Sequence, residues 1–237
     1  MPDRRGCHPR VRLTGGESGF LLHDRAEEAD ILERELNGSG RQVMGIKADM
    51  TDPAAVADAL GRAEEAFGPV DILFASAGGL LKRSRCVETF LDLWQEAIAV
   101  NLTSTFLACQ SALSSMEPRR SGSIVPVTSL AAFDGGGPGA SHYAATKGAV
   151  AVYVGALAKE VGALGIRVNG MAPGPIGTRF HDTFNTPEGR KAIVERTPVR
   201  REGTLEDVAE AVVFPASDHA SYLSGEIIHI NGGLGMI

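Results

Sequence analysis

A doubly wound α/β fold, with a mostly parallel sheet and helices on both faces, is what this chain predicts. Three observations carry the prediction. From residue 43 onward, short apolar strand-like runs alternate with helical stretches, the pattern of a parallel sheet with crossover helices. The 237 residues suit one domain over 1–237, since such folds often run about 200–250 residues without splitting. Clusters of small residues follow the apolar runs, where such sheets make their turns.

The elements are read in chain order. Residues 43–48 form a short strand ending at Asp49. Asp52-Pro53 then opens a helix, with Asp52 as its cap and Pro53 in the first turn, and Gly68 marks its end. Residues 70–75 are a buried strand followed by the turn Ser76-Ala77-Gly78-Gly79, and helical periodicity runs over about 87–116. A strand at 124–128, the loop Gly135-Gly136-Gly137-Pro138-Gly139 and a helix carrying Tyr143 come next. Strands at 166–169 and 227–230 are the last two, with a polar segment at 179–201 between them. Ligands of such sheets bind at the carboxyl ends of the strands. Asp49, Ala77, Ser129 and Pro173 all follow strand ends, so they are expected along one crevice.

Composition narrows the function. Net charge is 23 − 29 = −6, which argues against nucleic acid as the main partner. Cys7, Cys86 and Cys109 are odd in number and lack metal-like spacing, so a reduced, cytoplasmic protein without a metal is expected. No apolar run approaches the roughly 20 residues that span a bilayer, so no membrane partner is expected. The first ten residues carry charge without an apolar core, unlike a secretory signal.

The chemistry concentrates in Tyr143 and Lys147. Four residues apart on a helix, they share a face and can point into one site. A free tyrosine titrates near ~10. A neighbouring ammonium is expected to lower that value and make the phenol a usable general acid or base. Ser129, just past the apolar run at 124–128, is placed to hold a substrate oxygen and donate to charge developing there.

With their surroundings these residues resemble the short-chain dehydrogenase/reductase family from about Gly45 to the C-terminus, about four fifths of the chain. Ser129, Tyr143 and Lys147 match the family's catalytic serine, tyrosine and lysine, and Asn101 its helix asparagine. Pro173-Gly174-Pro175-Ile176-Gly177-Thr178 resembles the segment that meets the nicotinamide end of the cofactor, implying contacts from Pro173, Gly174, Ile176 and Thr178. The strand and turn at 71–78 resemble the family's Asn-Asn-Ala-Gly turn with both asparagines replaced, implying cofactor contact at Ala77 and Gly78. Asp49 resembles the residue that touches adenine. Asn101 is implied to distort its helix and hold a water relaying protons towards Lys147. Phe180, His181 and Phe184 fall in what resembles the family's substrate-covering segment.

The N-terminal 25 residues depart from that pattern. Thr14-Gly15-Gly16-Glu17-Ser18-Gly19 looks like the start of a glycine-rich phosphate-binding turn, implying contacts from Gly15 and Gly19. The stretch at 21–25 looks like the end of the second strand, with Asp24 as the acid that binds the adenosine ribose and selects NAD over NADP. A dinucleotide fold places that acid ~20 residues beyond the glycines, yet here the interval is 24 − 19 = 5. The Rossmann-like βαβ unit therefore reads as truncated, lacking its first helix and the start of its second strand. Read without the family, residues 11–14 and 20–23 around a Gly-rich loop suggest an antiparallel hairpin.

The function expected is an oxidoreductase moving hydride between NAD (NADP being the other option) and a small carbonyl or secondary-alcohol substrate, in a homodimer or homotetramer. The competing reading is a non-catalytic relative that folds and assembles without holding cofactor. A lyase or isomerase using Tyr143 without redox change is a third.

Overall fold

The structure, a computed structural model, describes residues 18–22, 26–38 and 42–236. It begins with β1 (Ser18–Leu22), α1 (Ala26–Asn37) and β2 (Val43–Lys47). β1 and β2 run parallel, from Ser18 opposite Val43 to Leu22 opposite Lys47. This corrects the hairpin reading: residues 20–22 belong to a strand joined to its neighbour by a helix, and the hairpin's other proposed arm, 11–14, lies outside the described residues. The Asn37 amide closes the helix-to-strand connection by donating to the Val43 carbonyl at 3.0 Å and accepting from its N–H at 2.7 Å.

Beyond β2 the capping chemistry operates as the sequence predicts. Asp52 accepts from the Ala54 N–H at 2.9 Å and starts α2 (Pro53–Phe67), which Gly68 ends at φ 84°. β3 (Ile72–Ala75) leads to α3 (Leu91–Ile98), a π-helical turn (Ala99–Thr103) and α4 (Ser104–Arg119). β4 (Gly122–Pro126), α5 (Ala131–Asp134) and α6 (Ser141–Val161) follow. The last part comprises β5 (Ile166–Val168), β6 (Gly170–Pro173), α7 (Arg179–Phe184), α8 (Pro187–Arg196), α9 (Leu205–Ala216) and β7 (Ile227–Ile230).

Every described strand pairing is parallel: β1 with β2, β3 with β4, β4 with β5, and β6 with β7. A Val127–Met171 bridge joins the end of β4 to β6. Among the described residues no pairing joins β1 and β2 to the β3–β4–β5 sheet. Ile72 at the start of β3 is 42% exposed, where a central parallel strand is ordinarily covered on both faces.

Strand alternation divides the core into two layers. On β4, Ile124 joins α2, α4 and α6 side chains including Leu60, Met116 and Leu157, while Val125 turns to the opposite face with Met171 and Val212 of α9. The continuous helix over Leu91–Arg119 is long and apolar enough to cross a membrane by length and composition, with 44% of its most apolar window buried. This corrects the expectation that no apolar run approaches that length. Its buried side chains, including Leu107, Ala108, Ala112 and Met116, give it the packing of a core helix. A third, smaller cluster of Ile46, Ala48 and Ala59 ties β2 to α2.

Because β1 and β2 hold to the rest through that small cluster, they should open before the central sheet. Hydrogen exchange in rising denaturant is expected to expose β2 amides at lower concentration than those of β4. Simultaneous loss would show the two parts to be one cooperative unit.

Candidate active site

The site is built around a buried ammonium. Lys147 lies on the inward face of α6 at 3% exposure and donates from Nζ to the Val127 carbonyl at 2.8 Å. The helix is pinned at the same residue from the other side, where the Thr128 hydroxyl donates to the Lys147 carbonyl at 2.6 Å. Burial lowers the Lys147 pKa to about 8, because desolvation disfavours the charged form.

Next to it stands Asn101, fully buried in the π-helical turn. The wider turn places the side chain against the strand-end loop rather than along the helix surface, and π-turns of this kind recur at functional sites. Asn101 Oδ1 accepts from the Gly79 N–H at 2.8 Å, and Nδ2 donates to the carbonyls of Gly79 and Ala97, both at 3.0 Å. Gly78 completes the cluster. At φ 150° it adopts a conformation that favours glycine, and an added Cβ would come within 2.6 Å of Asn101 Oδ1 and 2.9 Å of Lys147 Nζ.

Tyr143 sits one turn before Lys147 and shares a hydrogen bond with the Ser129 side chain. Burial raises the phenol above its ordinary value, and the bond to Ser129 opposes that rise without overcoming it. The expectation that Lys147 pulls Tyr143 down is thereby corrected. Desolvation outweighs charge here, and the ammonium is directed to the Val127 carbonyl. The phenol is therefore protonated at neutral pH, the state required of a proton donor. Ser129 also accepts from the Ala131 N–H at 3.1 Å, a bond that fixes it at the start of α5.

The remaining predicted residues divide by position. Ala77 and Gly78 follow β3, and Ser129 lies past β4. The segment from Pro173 to Thr178 is held from two sides: Gly174 N–H donates to the Ile230 carbonyl at 2.9 Å, and Gly177 N–H to the Gly203 carbonyl at 2.9 Å. Ile176 is buried, and the Thr178 carbonyl accepts from Asp182 in the first turn of α7. Asp49 is exposed beyond β2 and accepts from the Thr51 N–H at 2.8 Å and its hydroxyl at 2.7 Å, a turn-forming role. Gly19 lies within β1 opposite Met44, so its reading as a phosphate-binding turn glycine is corrected. Gly15 and Asp24 lie outside the described residues.

His142 adjoins the cluster in a way the sequence did not reveal, and Phe180 lies beside it within the segment that resembles a substrate cover. His142 is fully buried, and its Nε2 donates to the Leu80 carbonyl at 3.0 Å, joining the catalytic helix to the loop after Gly79. The signal available was a histidine next to Tyr143 on the same helix. The Phe180 ring lies 5.8 Å from that of Tyr143, centroid to centroid.

This donor set suits the ribose and nicotinamide half of a dinucleotide: a buried ammonium, a phenol and a side-chain-free backbone at adjoining strand ends. Among the described residues the diphosphate half has no glycine-rich turn. The family profile described as enoyl-(acyl carrier protein) reductase matches residues 15–235. The 3-oxoacyl-[acyl-carrier-protein] reductase FabG of Escherichia coli (strain K12) is 35% identical over 202 residues, 84% of this chain and 80% of that protein. Cyclohexanol dehydrogenase of Rhodococcus sp. (strain TK6) is 34% identical over 221 residues, covering 91% of this chain and 81% of its own. The crystal structure of the NADH-dependent reductase A1-R′, responsible for alginate metabolism, superposes with a TM-score of 0.83 at 27% identity, covering 92% of this chain and 87% of that one. Sequence and architecture agree on one assignment: the chain belongs to the short-chain dehydrogenase/reductase family of NAD(P)-dependent oxidoreductases.

Proposed function

We propose that this chain, as a single domain, interconverts a small carbonyl compound and its secondary alcohol, with Tyr143 as the proton-transferring group. The observation that carries the reading is the joint placement of Tyr143, hydrogen-bonded to Ser129, and the buried Lys147 packed against Asn101 and Gly78. In reduction, the Tyr143 hydroxyl donates to the substrate oxygen as negative charge develops there. Ser129 holds that oxygen in place, and the Lys147 ammonium would hold the cofactor ribose beside Tyr143. Asn101 fixes the Gly78-Gly79 backbone and supports proton return through water. A bound nicotinamide cofactor supplies the hydride. Lys147, Tyr143, Ala77, Gly78, Pro173, Gly174, Ile176 and Thr178 hold its nicotinamide and ribose, and Asp49 lies towards adenine. Gly15 remains a candidate at the diphosphate. Asp24 favours NAD, because a carboxylate accepts from a free 2′-hydroxyl and repels a 2′-phosphate.

The same reading places the protein in the cytoplasm, with neither nucleic acid nor membrane as a partner. It assembles as a homodimer or homotetramer, supported by exposed apolar side chains: Phe90 at the start of α3, and Leu91, Phe106 and Val152 on α3, α4 and α6.

The decisive experiment titrates the purified protein with NADH and NADPH by nucleotide fluorescence, then assays alcohols and ketones with wild type and Tyr143→Phe. Micromolar NADH binding is expected, with a loss of about 10²–10⁴-fold in kcat for Tyr143→Phe, the ordinary range for removing a general acid or base. A folded protein that binds neither nucleotide at millimolar concentration would sink the reading.

The pH profile tests Lys147 separately. With its pKa at about 8, the ammonium predominates at neutral pH and is lost above that value, so reductive kcat/KM should fall on the alkaline side. Lys147→Arg keeps its charge at all accessible pH and should move that limb upward at a lower overall rate. An unmoved limb would assign the titration to another group. Gly78→Ala should displace both Asn101 and Lys147 and reduce kcat about 10²-fold, the scale of a 1 Å misplacement. Wild-type kcat in a folded Gly78→Ala protein would mean the cluster yields without consequence.

A further inference from the structure

Arg83 lies in no motif, yet its side chain joins three separate parts of the chain. It is exposed in the loop after β3. Its Nε donates to the Phe184 carbonyl at 3.0 Å, Nη1 to the Pro138 carbonyl at 2.8 Å and Nη2 to Asn185 Oδ1 at 3.3 Å. The adjacent Ser84 N–H donates to the Gly139 carbonyl at 3.0 Å. A Cβ on Gly139 would come within 3.1 Å of the Ser84 nitrogen and 3.3 Å of the Arg83 Cβ, so the two loops meet backbone to backbone. One guanidinium thus ties the carboxyl end of α7 to the glycine loop that leads into the Tyr143 helix.

What α7 carries gives the tie its meaning. The Phe184 and Phe180 rings meet edge to face with centroids 5.0 Å apart, and Phe180 in turn lies 5.8 Å from Tyr143. A row of aromatic rings therefore runs from the Arg83 tie to the proton-transferring phenol. The other end of the segment is held by Arg190, which pairs with Asp182 and forks onto Glu202 at 2.7 and 2.5 Å. The guanidinium groups of Arg83 and Arg190 both bond to groups of the protein itself. The surface that the α7 rings present beside Tyr143 is aromatic.

We propose that Arg83 is a positioning residue for the substrate site: it fixes Phe180 and Phe184 beside Tyr143 and so selects compact, ring-shaped or otherwise apolar carbonyl substrates. The proposal rests on the oxidoreductase reading for its substrate class, but not for the tie itself. Planar forked donation to carbonyl oxygens is a property of arginine that lysine reproduces only as a point charge. Arg83→Lys should therefore restore part of what Arg83→Ala loses. Flat rings beside the reacting oxygen favour a flat or alicyclic group by close packing and admit a wider one only when α7 moves away.

The test compares wild type, Arg83→Ala, Arg83→Lys and Phe180→Ala, each shown to be folded by circular dichroism. Hydrogen exchange of residues 179–186 in the full-length protein reads the tie directly. Arg83→Ala should exchange about tenfold faster there, as expected for losing a local restraint, with Arg83→Lys between it and wild type. The ratio of kcat/KM for cyclohexanone over 4-tert-butylcyclohexanone, at saturating NADH, reads substrate selection. That ratio should fall about tenfold in Arg83→Ala, within the range pocket contacts can supply, and also in Phe180→Ala. Unchanged exchange in Arg83→Ala overturns the tie, and faster exchange with an unchanged ratio overturns its role in selection. If wild type reduces neither ketone yet binds NADH, the substrate class is overturned while the oxidoreductase reading stands. If it binds no nucleotide, that reading falls, and exchange alone still decides the tie.

Discussion

An ammonium group withdrawn from water must find oxygen acceptors inside the protein or lose its charge. The placement of Lys147 organises much of this fold around that constraint. Its acceptor is the Val127 carbonyl, one residue beyond the end of β4 at Pro126. The helix carrying the lysine is held to the same strand end by Thr128. The space beside the ammonium stays open only because Gly78 has no side chain. Strand length, helix placement and glycine identity are thus fixed together by one buried charge.

The same cluster explains how the catalytic half persists beside an interrupted sheet. β3, β4 and β5 pair with each other, and β4 connects through Val127 to β6 and β7. The groups that bring Tyr143, Ser129, Lys147 and Asn101 together all lie on these strands or on helices packed against them. Among the described residues, none of the hydrogen bonds that position them comes from β1 or β2. The Tyr143–Lys147 cluster is consequently built independently of β1 and β2, and substitutions in one need not disturb the other.

Much of this was legible in the sequence because it rests on local rules. Asp52-Pro53 and Gly68 bounded α2 as cap and stop, and the last strand was found at 227–230 because alternation and neighbouring glycines agree there. The interval from Gly19 to Asp24 measures no crossover, because Gly19 lies inside β1 rather than in a turn. What escaped was long-range or concealed by charge. The acidic residues of α1 conceal its helical pattern, and with it the crossover that makes β1 and β2 parallel. The rise in the Tyr143 pKa depends on burial that spacing does not report, and a lysine four residues away gave the opposite sign. Arg83 acts on residues 55 to 102 positions away, and no local pattern marks it.

The π-helical turn at Asn101 also bears on how this protein can change. It absorbs one additional residue within a single turn, where an unabsorbed residue would rotate the helix beyond it by about 100°. Leu107, Ala108, Ala112 and Met116, all buried, therefore keep their phase with α3 across the distortion. Deleting one position in the turn would straighten the helix and leave those side chains in the core. The loss would fall on the placement of Asn101, so the bulge is maintained by the residue it carries and not by the packing of the helix beyond it.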